Sequence, residues 1–205
     1  FGVAAVKSSI DFDKAMANVG TLIPGQRQRL ESLSDTVEDL SVEVGKSAQD
    51  ISGGLFQVIS AFGDTADTEK ILAINSRAAV AGVSSVADAI NLTSAVTKAF
   101  GDTTAEANRK VIDMAFTANT LGQTSFPELA RALPRVTSLS QKLGVSQEEM
   151  FAVMATATGV TGNTAEVATQ FRGVLGSLLT PTGDMEDALK GLEVSSGEAL
   201  IKQKG

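Results

Sequence analysis

Three groups of residues in this chain are of types that could do chemistry. Glu148-Glu149 and the set Asp184, Glu186 and Asp187 have the composition of a paired-carboxylate acid–base site. Gly63-Asp64-Thr65 and Gly101-Asp102-Thr103-Thr104 have the composition of a loop that holds a phosphate or a cation. Arg131, Arg135 and Lys142 form a local basic face in a protein of net charge −7, a face suited to an acidic partner. Each group also has a plainer reading. The carboxylates stand where helices are expected to begin, and negative charge there complements the helix dipole. The glycine-led segments read as the end of one helix and the cap of the next. A solvated helix face accounts for the three cations.

The groups that would complete an enzyme are missing. The 205 residues include no histidine, which removes the commonest general base and the commonest metal ligand together. They include no cysteine, so a thiolate nucleophile, a thiolate metal site and a disulfide framework are all excluded. No Gly-x-x-x-x-Gly-Lys-Ser/Thr occurs, so a nucleotide loop is unsupported. Asn91-Leu92-Thr93 matches a glycosylation sequon but falls within an expected helix. The expectation is a protein without catalysis, cofactor or metal. Its acidity argues against a surface for duplex DNA, where affinity comes mostly from neutralising phosphates. No apolar run approaches the roughly 18 residues that a membrane span needs.

The elements that position these residues are legible from glycine spacing. Gly45, Gly82, Gly122 and Gly162 each begin a Gly-x-Ser/Thr and stand 37 to 40 residues apart, the period of stacked helical hairpins. A second set, Gly63, Gly101, Gly144 and Gly183, falls about halfway through each unit. Ala61-Phe62-Gly63-Asp64-Thr65 recurs as Ala99-Phe100-Gly101-Asp102-Thr103. The four glycines are expected to cap or to pack closely, with Ser47, Ser84 and Thr164 opening helices and Asp50 at the capping-box position after Ser47. Gly173 and Gly176 lie inside a helix, and close approach of another backbone would explain them.

Apolar periodicity fills in the helices. Val3, Val6, Ile10, Met16 and Val19 form a first stripe; Leu30, Leu33, Val37, Leu40 and Val44 form a seam spaced like a short coiled coil. That seam packs on the repeats or on another copy. Ile51, Leu55, Val58, Ile59 and Phe62 point inward, with Gly53-Gly54 marking close packing or a bend. Val86, Ile90, Val96 and Phe100 precede a Thr103–Glu106 capping box, and Val111, Met114, Ala115, Ala118 and Leu121 line the return helix. Pro134 should kink or split the helix over 126–143. Ser146 and Glu149 box a helix buried through Met150, Val153, Met154 and Ala157. Val167, Phe171, Val174, Leu175 and Leu178 stripe the next, and a short acidic helix runs from Asp184 to about Leu192.

The expected fold is all-α: two helices over 1–44, then hairpins over about 45–81, 82–121, 122–161 and 162–193. Residues 194–205 would start a further element, as expected of a piece of a longer protein.

Phe12-Asp13-Lys14-Ala15-Met16-Ala17-Asn18-Val19-Gly20 resembles the segment that opens the core region of bacteriophage tail tape measure proteins. Leu143-Gly144-Val145-Ser146 through Met150, and Ala165-Glu166-Val167-Ala168-Thr169-Gln170-Phe171-Arg172-Gly173 running on to Pro181, are similar to two further segments of that family in the same order. The resemblance implies a non-enzymatic assembly protein of the tail tube lumen, made in the host cytoplasm and acting in tail initiation and length determination. It implies tail assembly chaperones, tail tube protein and baseplate or hub proteins as partners, with self-association in a few copies. The repeated turns suggest a compact module here, with the measuring sequence elsewhere. The alternative is a helical-repeat scaffold that binds a peptide or protein.

Overall fold

The computed structural model describes the backbone of residues 2–204 and the side chains of residues 10–203, which leaves the Val3 and Val6 positions of the first stripe outside the described side chains. The protein is an all-α array of helical hairpins, with no strand among the described residues. The helices are α1 (Gly2–Leu22), α2 (Arg27–Val44), α3 (Ala48–Phe62), α4 (Thr68–Ala81), α5 (Val86–Phe100), α6 (Ala105–Leu121) and α7 (Phe126–Ala132). They continue as α8 (Thr137–Leu143), α9 (Gln147–Thr161), α10 (Thr164–Leu179), α11 (Gly183–Gly191) and α12 (Gly197–Lys204). A 3-10 turn, Leu133–Arg135, separates α7 from α8. It holds Pro134, which lacks an N–H for the ladder and crowds the preceding turn, so the helix splits there.

The chain forms two compact units. The first runs through Ser94 and adds Asp102–Ile112; the second takes Ala95–Gly101 and the chain from Asp113 onward. In the first unit α3 is the central helix, contacted by α1, α2 and α4. Ile51, Leu55 and Val58 of α3 are fully buried, as are Leu33 and Val37 of α2 and Leu72 of α4. The α2 seam therefore packs on α3 and α4 of its own chain. Gly54 is a close-packing position, since a methyl group there would overlap Val86, and α3 continues unbroken through it. Asn75 of α4 and Thr93 of α5 are buried together, and the Thr93 hydroxyl donates to Asn75 Oδ1 at 3.1 Å.

In the second unit α10 is central, contacted by α7, α8, α9 and α12. Phe126, Leu129, Leu133, Leu143, Met150 and Met154 are fully buried there. Gly173 and Gly176 do not mark the expected close approach, because nothing lies within 4 Å of a methyl group built on either. The tight positions are Gly122, where a methyl would meet Thr158 and sit 2.7 Å from the Ala155 carbonyl, and Gly197, where it would run into the Leu178 carbonyl.

Four stripe positions face outward, Ile10 of α1 among them at 47% exposed. Leu121 is 72% exposed because it is the last residue of α6 before its turn. Val153 is exposed because α9 buries Met150, Phe151, Met154, Ala155 and Thr158, a face rotated by one residue. Val174 is exposed because α10 buries the narrower set Val167, Ala168 and Leu175.

The caps also shift. Ser47 caps α3 as expected, accepting the Asp50 N–H at 3.1 Å. The α5 cap is Ser85, not Ser84; the α6 cap is Thr104, not Thr103; the α10 cap is Asn163, not Thr164. Gly45 and Gly162 are left-handed, at φ 70° and 64°. Gly82 is not: its φ is −89°, and the left-handed residue is Val83, at φ 49° and 88% exposed. A β-branched residue is strained there, by about 1–2 kcal/mol. Val83→Gly relieves that strain and gives back part of it as unfolded-state entropy. The expected net is a gain of about 0.5–1 kcal/mol, read as a higher urea midpoint at unchanged slope. A lower midpoint would mean that Val83 carries no such strain.

Candidate functional site

Most of the chemistry-bearing residues are spent on helix ends. The Ser146 N–H and hydroxyl both donate to Glu149 Oε2 at 2.7 Å, and the Glu149 N–H returns to Ser146 Oγ at 3.2 Å. The Ser146 backbone N–H, more than any other group, holds the Glu149 carboxyl below its usual range. Asp102 accepts the Thr104 hydroxyl at 2.8 Å and the Thr104 N–H at 3.1 Å, and these bonds lower its pKa. The glycine-led segment thus closes on its own carboxylate. No group of three or more acidic side chains among the described residues is arranged to hold a metal ion.

A second set of charges ties one element to another about 34–40 residues away. Asp50 does not complete a capping box on α3. Its Oδ1 accepts the Val86 N–H at 3.1 Å, so it caps α5 instead, while Lys46 Nζ bonds Asp50 Oδ2 at 2.9 Å and the Ser84 carbonyl at 2.7 Å. Asp67 does the same for α6, accepting the Ala105 N–H at 3.2 Å. That backbone bond is the largest cause of its lowered pKa, followed by its bond with Lys70. In the second unit Gln123 Nε2 donates to the Gly159 carbonyl at 3.3 Å, and Thr164 donates to the Thr124 hydroxyl at 2.7 Å. These bonds span 35 to 40 residues or close to it, the period of the turn glycines. In the first unit the hairpin that carries Asp50 and Asp67 completes both helix starts of the next one, which is how a repeat that cannot stand alone gains stability from its neighbour.

Arg29 is the strongest of these ties. Its Nε and Nη2 donate to the two Asp64 oxygens at 2.9 Å each, and its Nη1 donates to Glu69. The fork matches a carboxylate in a way that lysine cannot reproduce. The hydrogen bonds that Arg29 donates to Asp64 depress the pKa of the carboxyl and raise that of the guanidinium. Asp64 therefore sits in an ion network and not in a ligand loop. Periodicity reading passed over Arg29 and Asp67, and took Asp50 for the capping box of its own helix. The signal that could have found them is an opposite charge or a helix start one repeat away.

The face expected at Arg131, Arg135 and Lys142 is only partly assembled. Arg131 and Arg135 line a groove of about 250 Å³ with Glu128, Ala132 and residues 162–165; Lys142, in the last turn of α8, is not in its lining. Glu128 is engaged by the Ser125 hydroxyl at 2.8 Å. Arg131 and Arg135 are exposed and make no ion pair among the described residues, so the groove presents two guanidinium groups against the one carboxylate of Glu128. Such a surface can receive carboxylates. A larger cleft of about 450 Å³ beside α4 and the start of α6 has most of its charge already consumed, by Asp67 with Lys70 and by Arg77 with Glu43.

Comparison with known proteins adds one match. A family model described as phage-related minor tail protein covers residues 34–205. No curated protein and no solved structure matches the chain.

Proposed function

Because the chain belongs to the phage-related minor tail protein family, a structural family of the phage tail, we propose that it is a compact assembly module of a tail tape measure protein. In this reading it acts without catalysis in tail initiation and anchoring, and the length-measuring sequence lies outside these residues. It works in the host cytoplasm during assembly and in the tail tube lumen of the virion. Tail assembly chaperones, tail tube protein and baseplate or hub proteins are its partners, and it assembles in a few copies.

One observation carries the compact part of the proposal. A ruler must be extended, yet the longest described helix has 21 residues, about 31 Å, and the array turns back at glycine after glycine. The ties from Asp50 to Val86 and from Asp67 to Ala105 hold the hairpins closed against each other. The acidity of the chain suits a protein that shares a tube with DNA, because like charge prevents adhesion.

Deleting residues 82–121 in frame from the parent gene tests this by electron microscopy of tails. Tails of normal length, or none at all, are the expected result. A shortening of about 60 Å would mean that these 40 residues lie extended along the tube at 1.5 Å each, and the compact reading would fall.

A further inference from the structure

We propose that the groove holding Arg131 and Arg135 receives the acidic helix α11 of a second copy of this chain, giving a head-to-tail contact. The argument is one of charge and reach. Asp184, Glu186 and Asp187 are all exposed on α11, and among the described residues Asp184 and Glu186 make no ion pair. Asp184 and Asp187 stand three residues apart and share one face of the helix; Asp187 bonds Lys190 at 3.0 Å in an exposed pair, which it can exchange for a guanidinium at little cost. Arg131 and Arg135 are two exposed cations without an ion pair among the described residues, against the single lining carboxylate of Glu128, so the groove keeps an excess positive charge that an acidic segment complements.

The same copy does not close this contact: no ion pair among the described residues joins α11 to Arg131 or Arg135. The groove borders the first residues of α10, and α11 follows the last. α10 has 16 residues and is about 24 Å long. A groove at one end of α10 and its complement beyond the other make the contact heterologous, so copies add in a row or close into a ring.

The inference rests on the multi-copy part of the function proposed above. A chain that fails to associate overturns the inference and leaves the tail role standing. The test is sedimentation of the purified chain across concentration, in about 0.05 M and 0.5 M salt, where screening lengths are about 14 Å and 4 Å. Association that weakens with salt is expected. Arg131→Glu/Arg135→Glu should weaken it about tenfold or more, while Lys98→Glu/Arg109→Glu, with the same change in net charge, should leave it unchanged. Asp184→Lys/Asp187→Lys should also be monomeric alone, and mixing it with the groove variant should restore assembly, with circular dichroism confirming helix content in each. Association that survives the groove reversal, equal loss in the control, or a chain monomeric at about 1 mM overturns the proposal. An acidic partner protein that binds the groove of a monomeric chain would overturn it as well.

Discussion

Phe126→Ala should destabilise the protein by about 3–5 kcal/mol, the range for removing a buried aromatic ring and leaving a cavity. Phe126 is 1% exposed and ranks first by volume among the fully buried side chains. Its ring lies 5.1 Å from that of Phe116, in a tilted arrangement that favours an aromatic pair. The position is also rigid. Ser125 caps α7 by accepting the Glu128 N–H, and Pro127 follows at the first turn, so the backbone has little freedom to collapse into the space. Chemical denaturation read by circular dichroism should give a lower midpoint with an unchanged slope. Phe126→Leu should recover much of the loss, because it refills most of the volume. A loss under about 1 kcal/mol for the alanine variant would mean that the site is not packed as described.

The second large effect belongs to Arg29. Its side chain is 28% exposed and that of Asp64 is 15% exposed, so the pair is substantially desolvated. Removing the guanidinium leaves Asp64 without its partner, and Arg29→Ala should cost about 2–4 kcal/mol near neutral pH. Arg29→Lys should not restore it, because an ammonium cannot reproduce the fork.

The pH dependence has a definite sign. The folded pKa of Asp64 is depressed below 3.8, mainly by its hydrogen bonds from Arg29. Its contribution is therefore fully present above the unfolded value and is lost as pH falls through the lower folded one. Asp67, Asp102 and Glu149 are depressed too and add to the same slope. The wild-type protein should lose stability below about pH 4. The gap between wild type and Arg29→Ala should narrow there, since protonated Asp64 no longer needs the arginine. Urea midpoints at pH 7 and pH 3 measure this; a gap that widens on acidification would contradict the ion network.

Some of this protein follows from local order alone. The 37–40-residue spacing of Gly45, Gly82, Gly122 and Gly162 marks the hairpin period, because a helix must end where glycine is favoured and side-chain caps cluster. The inward stripes of α2 and α3 follow from the 3.6-residue turn, which puts Leu33, Val37 and Leu40, or Ile51, Leu55 and Val58, on one side. The Pro134 break and the Ser146–Glu149 capping box are equally local, since each depends on groups three or four residues apart.

The tertiary structure decided what depends on a neighbour. Only packing could say that Gly54, Gly122 and Gly197 are the crowded glycines and that Gly173 and Gly176 face open space, since every glycine reads alike in a sequence. Only packing could move the left-handed residue from Gly82 to Val83, or turn Val153 and Val174 outward by rotating α9 and α10 about their axes. Asp50 and Asp67 look like caps for their own helices and serve helices a full repeat away, because a carboxylate bonds whichever free N–H the fold brings within about 3 Å. The basic face divides for the same reason: the 3-10 turn after α7 carries Arg131 and Arg135 into one groove and leaves Lys142 outside its lining. Spacing along the chain sets where helices start and stop. Which charges meet is set by distances through space, which no local pattern encodes.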